Sequence, residues 1–306
     1  MTRYGFVGLG SMGAPMAGHL ADLCEGGDST LTVWNRTPGR EGPLTGRGAA
    51  VADNPREMVA GSDVVVVMLP DLEQLMELTD GPADILGAVT TPTVLVICSS
   101  VSPQGVRAYA EHVATTTGGL VGVVDAPVSG GIEGAEAGNL AIMAGGGDAE
   151  VAAAWPALTA MGTTVRHLGP IGAGSLAKAC NQMVVAATLI ALSEASVLAE
   201  SAGLSVQGLL EILAGGFGAS RVLEVKAANL TANTYAPTGA ARYMVKDLAF
   251  VTAESQLTGA AVAQAQLSAE FFGSVLDSGL GDLDVSVVHA LIRERAGLPP
   301  SPPGAP

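Results

Sequence analysis

Three glycines, Gly8-x-Gly10-x-x-Gly13, stand between an apolar run at residues 4–8 and an amphipathic stretch at 11–24. Few folds accommodate that junction. The first glycine permits a strand-to-helix turn, the second lets backbone approach a pyrophosphate, and the third packs helix on strand. Glycine turns are common in a chain with 41 glycines, so the flanks carry the argument. A strand before and a helix after predict a dinucleotide site, with the phosphates at the positive end of the helix. The candidate contacts are Gly8, Leu9, Gly10, Ser11, Met12 and Gly13.

The rest of the first half continues the pattern. Strands are expected at 4–8, 31–34, 64–69, 94–98, 121–125, 140–143 and 164–168, several of them near-continuous Val/Leu/Ile runs. Such runs belong to strands covered on both faces of a parallel sheet. Helical stretches such as 71–78 and 103–117 fall between them, so residues 1–170 read as a doubly wound α/β (Rossmann) domain. After Gly169-Pro-Ile-Gly-Ala-Gly the pattern changes. Residues 175–202 contain no glycine or proline and predict one long helix, followed by helices near 205–214, 240–257, 261–278 and 284–296. Residues 171–296 therefore read as an all-helical domain. The proline-rich segment 297–306 is expected to be a disordered tail.

Composition removes several classes of function. The net charge is −15, which argues against nucleic-acid and anionic-membrane partners. The longest uncharged run of the helical half, 179–193, is too short to span a bilayer and reads as a buried helix. Cys24, Cys98 and Cys180 lack a Cys-x-x-Cys spacing and read as reduced core thiols. The four histidines show no ligand spacing, so no metal site is expected. The strand-first start leaves no room for a signal peptide, and a cytoplasmic location is expected. Hydrophobic residues make up 48% and charged ones 14%, an excess that fits a homodimer or homotetramer built on the helical half.

The second strand addresses the choice of dinucleotide. NAD(H) sites usually place a carboxylate about 20 residues past the glycines. Here the strand ends in Trp34-Asn35-Arg36-Thr37, an amide, a guanidinium and a hydroxyl, which suit a 2′-phosphate. NADP(H) is expected as the preferred cofactor, with NAD(H) possible.

Only three lysines occur beside eleven arginines, and two sit in apolar surroundings. Lys178 follows Gly174-Ser-Leu-Ala, and Lys246 lies in Tyr243-Met-Val-Lys-Asp-Leu. A buried ammonium costs several kcal/mol unless paired, so about that much must be offset by a partner or justified by a role. Lys178 and Asn181 stand three apart on one helical face. For Lys246 a structural pair with Asp247 or with a carboxylate elsewhere is the competing reading. The loop Asp125-Ala-Pro-Val-Ser129-Gly130-Gly131 offers a hydroxyl and successive backbone N–H groups able to hold a carboxylate.

Taken together these strings resemble the β-hydroxyacid dehydrogenase family, which contains 3-hydroxyisobutyrate dehydrogenases and the tartronate and glyoxylate/succinic semialdehyde reductases. The resemblance runs from residue 4 to about 290. It also takes in Met68-Leu69-Pro70, Ser99-Ser100-Val-Ser102-Pro103, Gly172-x-Gly174-x-x-x-Lys178-x-x-Asn181-Gln182 and Lys246-Asp247-Leu. It implies reversible oxidation of a β-hydroxyacid, with Lys178 as acid/base. Ser129, Gly130, Gly131 and Asn181 would hold a small carboxylate-bearing substrate. Met68, Leu69, Pro70, Ser100, Lys246 and Asp247 would lie near the cofactor. Two departures stand out: Ser100 replaces a common threonine, and the segment from Gly215 to Arg221 matches no single member. Arg221 reads either as a contact to a distal acidic group or as a surface charge. Imine reductases share the architecture and the Trp34-Asn-Arg-Thr run, but Lys178 and the Ser129 loop argue against them. A decarboxylating sugar-phosphate dehydrogenase and a non-catalytic NADP(H)-binding protein fit these residues less well.

Overall fold

The four valines Val64–Val67 are buried along their whole length, as a strand covered on both faces must be. In the computed structural model, which describes residues 1–299, they form β4 of a parallel sheet. Its other members are β1 (Thr2–Val7), β2 (Ser29–Trp34), β3 (Ala50–Val51), β5 (Thr93–Ile97) and β6 (Val121–Asp125). The order is β3-β2-β1-β4-β5-β6. The winding direction reverses between β1 and β4, the place where open parallel sheets bind ligands at their strand ends.

Helices cover both faces. They are α1 (Gly13–Leu23), α2 (Gly42–Thr45), α3 (Pro55–Ala60), α4 (Leu72–Asp80), α5 (Pro103–Thr117), α6 (Gly131–Glu136) and α7 (Asp148–Met161). Met16 and Leu20 of α1 join Leu158 and Met161 of α7 on Phe6, Val66 and Val96. Leu75 of α4 and Val106 of α5 pack with Val65, Val67 and Ile97 on the opposite side. Sequence chemistry sets the helix starts: Asp71 accepts from Gln74 N, and Ser102 accepts from Gly105 N ahead of Pro103.

The strands expected at 140–143 and 164–168 form, but they do not extend the main sheet. With the two-residue β7 (Val128–Ser129), β8 (Leu140–Ala144) and β9 (Gly162–His167) make a second sheet. Pro127 cannot donate to a ladder, and the chain beyond it runs antiparallel to β8, pairing Val128 with Ile142.

The chain separates into two units, Met1–Lys178 and a second beginning at Ala179. The helix α8 (Ala173–Ser201) is continuous through that boundary. It begins two residues before the expected 175, taking Gly174 into its first turn. With 29 residues it is long and apolar enough, by length and composition, to cross a bilayer, contrary to the estimate from its uncharged run. Its Ala186, Leu189, Ile190 and Val197 are buried in the core of the second unit. That unit continues with α9 (Val206–Ala214), α10 (Arg221–Ala232), α11 (Arg242–Thr258), α12 (Ala263–Asp277) and α13 (Val288–Arg295). The sequence reading missed α10, which starts where Ser220 accepts from Leu223 N. The expected helix 284–296 is a 3-10 turn at Val285–Val287 followed by α13.

A polar knot ties α10 to the chain before α13. Asp284 is fully buried and accepts from Lys226 Nζ at 2.8 Å, Thr238 Oγ1 at 2.5 Å and Ser286 Oγ at 2.6 Å. Burial opposes ionisation here, but Lys226 and the hydroxyl donors hold the carboxyl below the usual carboxylate range. The tail also departs from expectation. Leu298 donates to Arg293 O at 3.0 Å and packs on the helical core, so the chain stays anchored past residue 297. The remainder of the predicted tail, 300–306, lies outside the described residues.

Candidate active site

The three glycines of the first turn differ in what constrains them. Gly8 has φ +94°, and a Cβ there would stand 2.3 Å from Met68 O. A Cβ on Gly13 would stand 1.8 Å from Gly8 O. Both are fixed by the fold itself. Gly10 has nothing within 4 Å of its Cβ position, so its openness suits the approach of a pyrophosphate. The cap residue Met12 closes the N-terminus of α1 with no side-chain bond, leaving its amides for an anion. These residues fit a dinucleotide.

The turn after β2 braces this loop. Asn35 Oδ1 accepts from Leu9 N at 2.9 Å, and its Nδ2 donates to Thr37 O at 2.6 Å. Asn35 is thus a strut for the glycine loop, and its amide is already engaged on both sides. Arg36 and Thr37 are exposed. Arg40, absent from the sequence-derived set, donates from Nη1 to Leu9 O at 3.2 Å, which places a second guanidinium beside the glycine loop. Glu41 accepts from Gly39 N at 2.7 Å and holds the bend between them.

The next strand ends contribute in turn. Met68 N donates to Val7 O, and Leu69 N donates to Ser99 Oγ at 3.1 Å, so Met68, Leu69 and Pro70 leave β4 beside the β1 turn. Ser99 is buried and Ser100 half-buried. Burial pushes the Cys98 thiol up to about 12, which fits an inert core thiol. Cys180, by contrast, is exposed on α8 and is not a core thiol.

Beyond β6, Ser129 is half-buried in β7, and Gly130 and Gly131 follow with φ +143° and +67°. Two consecutive left-handed residues turn the chain from β7 into α6, a course that β-carbons would strain. Asp125, where this loop begins, is fully buried. Its Oδ1 accepts from Gly172 N at 2.8 Å and its Oδ2 from Ser175 N at 2.6 Å. Burial pushes its carboxyl up, against those N–H donors. Lys178, one turn further along α8, is 9% exposed.

The second unit carries the other predicted residues. Asn181 Oδ1 is buried without a hydrogen-bond partner. Gln182 Nε2 donates to Asp247 Oδ2 at 2.8 Å, joining α8 to α11. Lys246 Nζ lies 4.0 Å from Asp247 Oδ1 and over the Phe250 ring. Arg221 is exposed and pairs with Glu224. No group of three metal-ligating side chains occurs among the described residues.

Comparison with known proteins agrees with this geometry. Residues 3–169 match the NAD binding domain of 6-phosphogluconate dehydrogenase, and 172–292 match the NAD-binding domain of NADP-dependent 3-hydroxyisobutyrate dehydrogenase. The NAD-dependent L-serine dehydrogenase of Pseudomonas aeruginosa is 33% identical over 304 residues, covering 97% of this chain and 100% of that one. The solved 3-hydroxyisobutyrate dehydrogenase of Mycobacterium tuberculosis with L-serine superposes with a TM-score of 0.81 at 32% identity, covering 96% of this chain and 99% of that one. An imine reductase of Streptomyces aurantiacus, at 22% identity and a TM-score of 0.61, shares the fold alone. The fold and these relatives define a nicotinamide-dinucleotide oxidoreductase acting on hydroxyacids. Within that class the chain belongs to the 3-hydroxyisobutyrate dehydrogenase-like family of β-hydroxyacid dehydrogenases.

The contrast among the glycines yields a test. Gly10→Ala should keep the wild-type melting temperature yet weaken dinucleotide binding on the order of tenfold, about 1.4 kcal/mol, by fluorescence titration. Gly13→Ala should lower the melting temperature sharply, because its Cβ has nowhere to go. Equal melting temperatures for the two variants would contradict this division.

Proposed function

We propose that this enzyme interconverts a small β-hydroxyacid and its semialdehyde or keto form, preferring NADP(H) over NAD(H), with Lys178 as the acid/base. The observation that carries the reading is the near-complete burial of Lys178 on α8, three residues from an Asn181 oxygen that is buried and unpaired. Lys226 and Lys246 are both less deeply buried and stand against carboxylates of the helical unit, Asp284 and Asp247. An orphaned buried acceptor costs about 1–3 kcal/mol, which a ligand hydroxyl or ammonium would offset.

The bound dinucleotide supplies or accepts the hydride. In reduction, Lys178 gives a proton from Nζ to the carbonyl oxygen as that oxygen gains charge; in oxidation it takes the proton back. Ser129 Oγ and the amides of Gly130 and Gly131 hold the substrate carboxylate, and Asn181 orients it. The glycine loop from Gly8 to Gly13 takes the pyrophosphate, with Met68, Leu69, Pro70 and Ser100 alongside. Arg36, Thr37 and Arg40 take the 2′-phosphate, while Asn35 keeps the loop in place. The names of the relatives include both NAD and NADP, so the preference rests on this loop chemistry. Substrates of the size of serine or 3-hydroxyisobutyrate, which those names carry, are the first to try.

We also propose a homodimer or homotetramer built on the helical half. Val184, Ala191 and Leu198 are exposed seven residues apart on α8, and Ile212 and Phe217 are exposed beyond it. An apolar stripe at heptad spacing is the seam of a helix with a partner. Light scattering at micromolar concentration should give a multiple of the 30.4 kDa chain mass; a monomer would remove the proposal.

Replacing Arg36 by Ala should weaken NADPH binding by about 1.5–3 kcal/mol, the worth of a charged hydrogen bond, and leave NADH almost unchanged. Equal losses for both would show that Arg36 supports the fold instead. Lys178→Ala should lower turnover about 10²–10⁴-fold at nearly unchanged NADPH affinity, followed at 340 nm with semialdehyde substrates and with oxidised cofactor plus serine or 3-hydroxyisobutyrate. Lys178→Arg should not rescue, since guanidinium keeps its proton at any working pH. Retention of more than about a tenth of wild-type turnover by the alanine variant is incompatible with a general acid/base role.

A further inference from the structure

Asp125 lies outside the groups that the chemistry above employs, yet it is fully buried and its two carboxylate oxygens accept from the residue just before α8 and from the first turn of α8. Oδ1 accepts from Gly172 N at 2.8 Å and Oδ2 from Ser175 N at 2.6 Å, the latter in the first turn of α8. Two bonds from two oxygens fix more than one bond can. They set both the rotation of the helix about its axis and its height above the end of β6. The backbone of Asp125 is itself immobilised, its N–H donating to Gly145 O at 3.0 Å and its carbonyl accepting from Gly145 N at 2.8 Å. The closeness of the junction shows in Gly174, where a Cβ would stand 2.2 Å from Met143 O and 2.4 Å from Asp125 O. The same residue then starts the chain that reaches Ser129 four positions later, while Lys178 follows Ser175 by three.

We infer that Asp125 is a positioning residue for the reaction: its carboxylate clamps the first turn of α8 to the end of β6 and thereby aligns Lys178 with the Ser129 loop. The inference rests on Lys178 being the acid/base. A neutral cap would hold the helix less well. Asn offers a single acceptor oxygen and sets its amide N–H against one of the two backbone N–H groups; Ser offers one acceptor, as Ser102 does for α5. Either change frees the rotation that Asp125 suppresses, and a displacement of about 1 Å at a reacting group can lower turnover on the order of 100-fold.

The test compares Asp125→Asn, Asp125→Ser, Lys178→Ala and the double variant Asp125→Asn/Lys178→Ala, with turnover measured per mole of folded, NADPH-binding protein. The expected result is a kcat loss of about 10- to 100-fold in the Asp125 variants, with KM and NADPH affinity nearly unchanged. In the double variant the Asp125 substitution should add no further loss to that of Lys178→Ala, because both act through one group. Full kcat in the Asp125 variants, beside an inactive Lys178→Ala, overturns the positioning role and leaves the acid/base reading standing. A multiplied loss in the double variant overturns it too, since Asp125 would then act by another route. Loss of the fold in both single Asp125 variants would make the residue structural only and overturn the positioning role in the same way. If Lys178→Ala keeps its turnover, the acid/base reading fails and the positioning role fails with it.

Discussion

Parallel hydrogen bonding commits six strands to one direction, so every turn that leaves the main sheet for a helix leaves from the same edge. The candidate residues of the first unit follow from that constraint. Gly8 leaves β1, Asn35 leaves β2, Met68 leaves β4, Ser99 leaves β5, and Asp125 ends β6. Bonds between these turns hold them in register: Met68 N to Val7 O, Leu69 N to Ser99 Oγ, and Leu9 N to Asn35 Oδ1. An anion site assembled from backbone amides needs that rigidity, because its donors cannot reorient to find the ligand.

Buried charge is handled in three ways in this chain. Asp284 is neutralised by Lys226 and surrounded by hydroxyl donors, a closed network within the helical unit. Asp125 is met by amide N–H groups at a helix N-terminus, where the helix dipole adds to the bonds. Lys178 is nearly buried on the helix whose start Asp125 holds. The first is a fastening, the second a brace, and the third is the group proposed as the acid/base.

Local signals explain which parts could be read from the sequence. Valine runs and the glycine turn are short-range patterns with one structural solution, so the main sheet and the first loop were legible. The second sheet was harder, because β7 has two residues and its direction depends on Pro127. The α10 helix was missed because Asn229 interrupts its apolar face; a tertiary bond from Asn229 to Ser286 turns that interruption into a contact. Cys180 sits in an apolar run, yet lies on the outward side of α8. Arg40 and Asp125 were in plain view as letters, but their partners, Leu9 and Ser175, lie 31 and 50 positions away. No spacing rule carries such pairings.

The turn after β2 divides its labour at a single peptide bond. Asn35 belongs to the scaffold, since both ends of its amide are spent on Leu9 and Thr37, while Arg36 and Thr37 project their side chains without core contacts. A trait whose residues bear no share of the fold can drift or be selected at little cost to stability. The dinucleotide preference proposed for Arg36 and Thr37 would therefore be open to change at those two positions and closed at position 35.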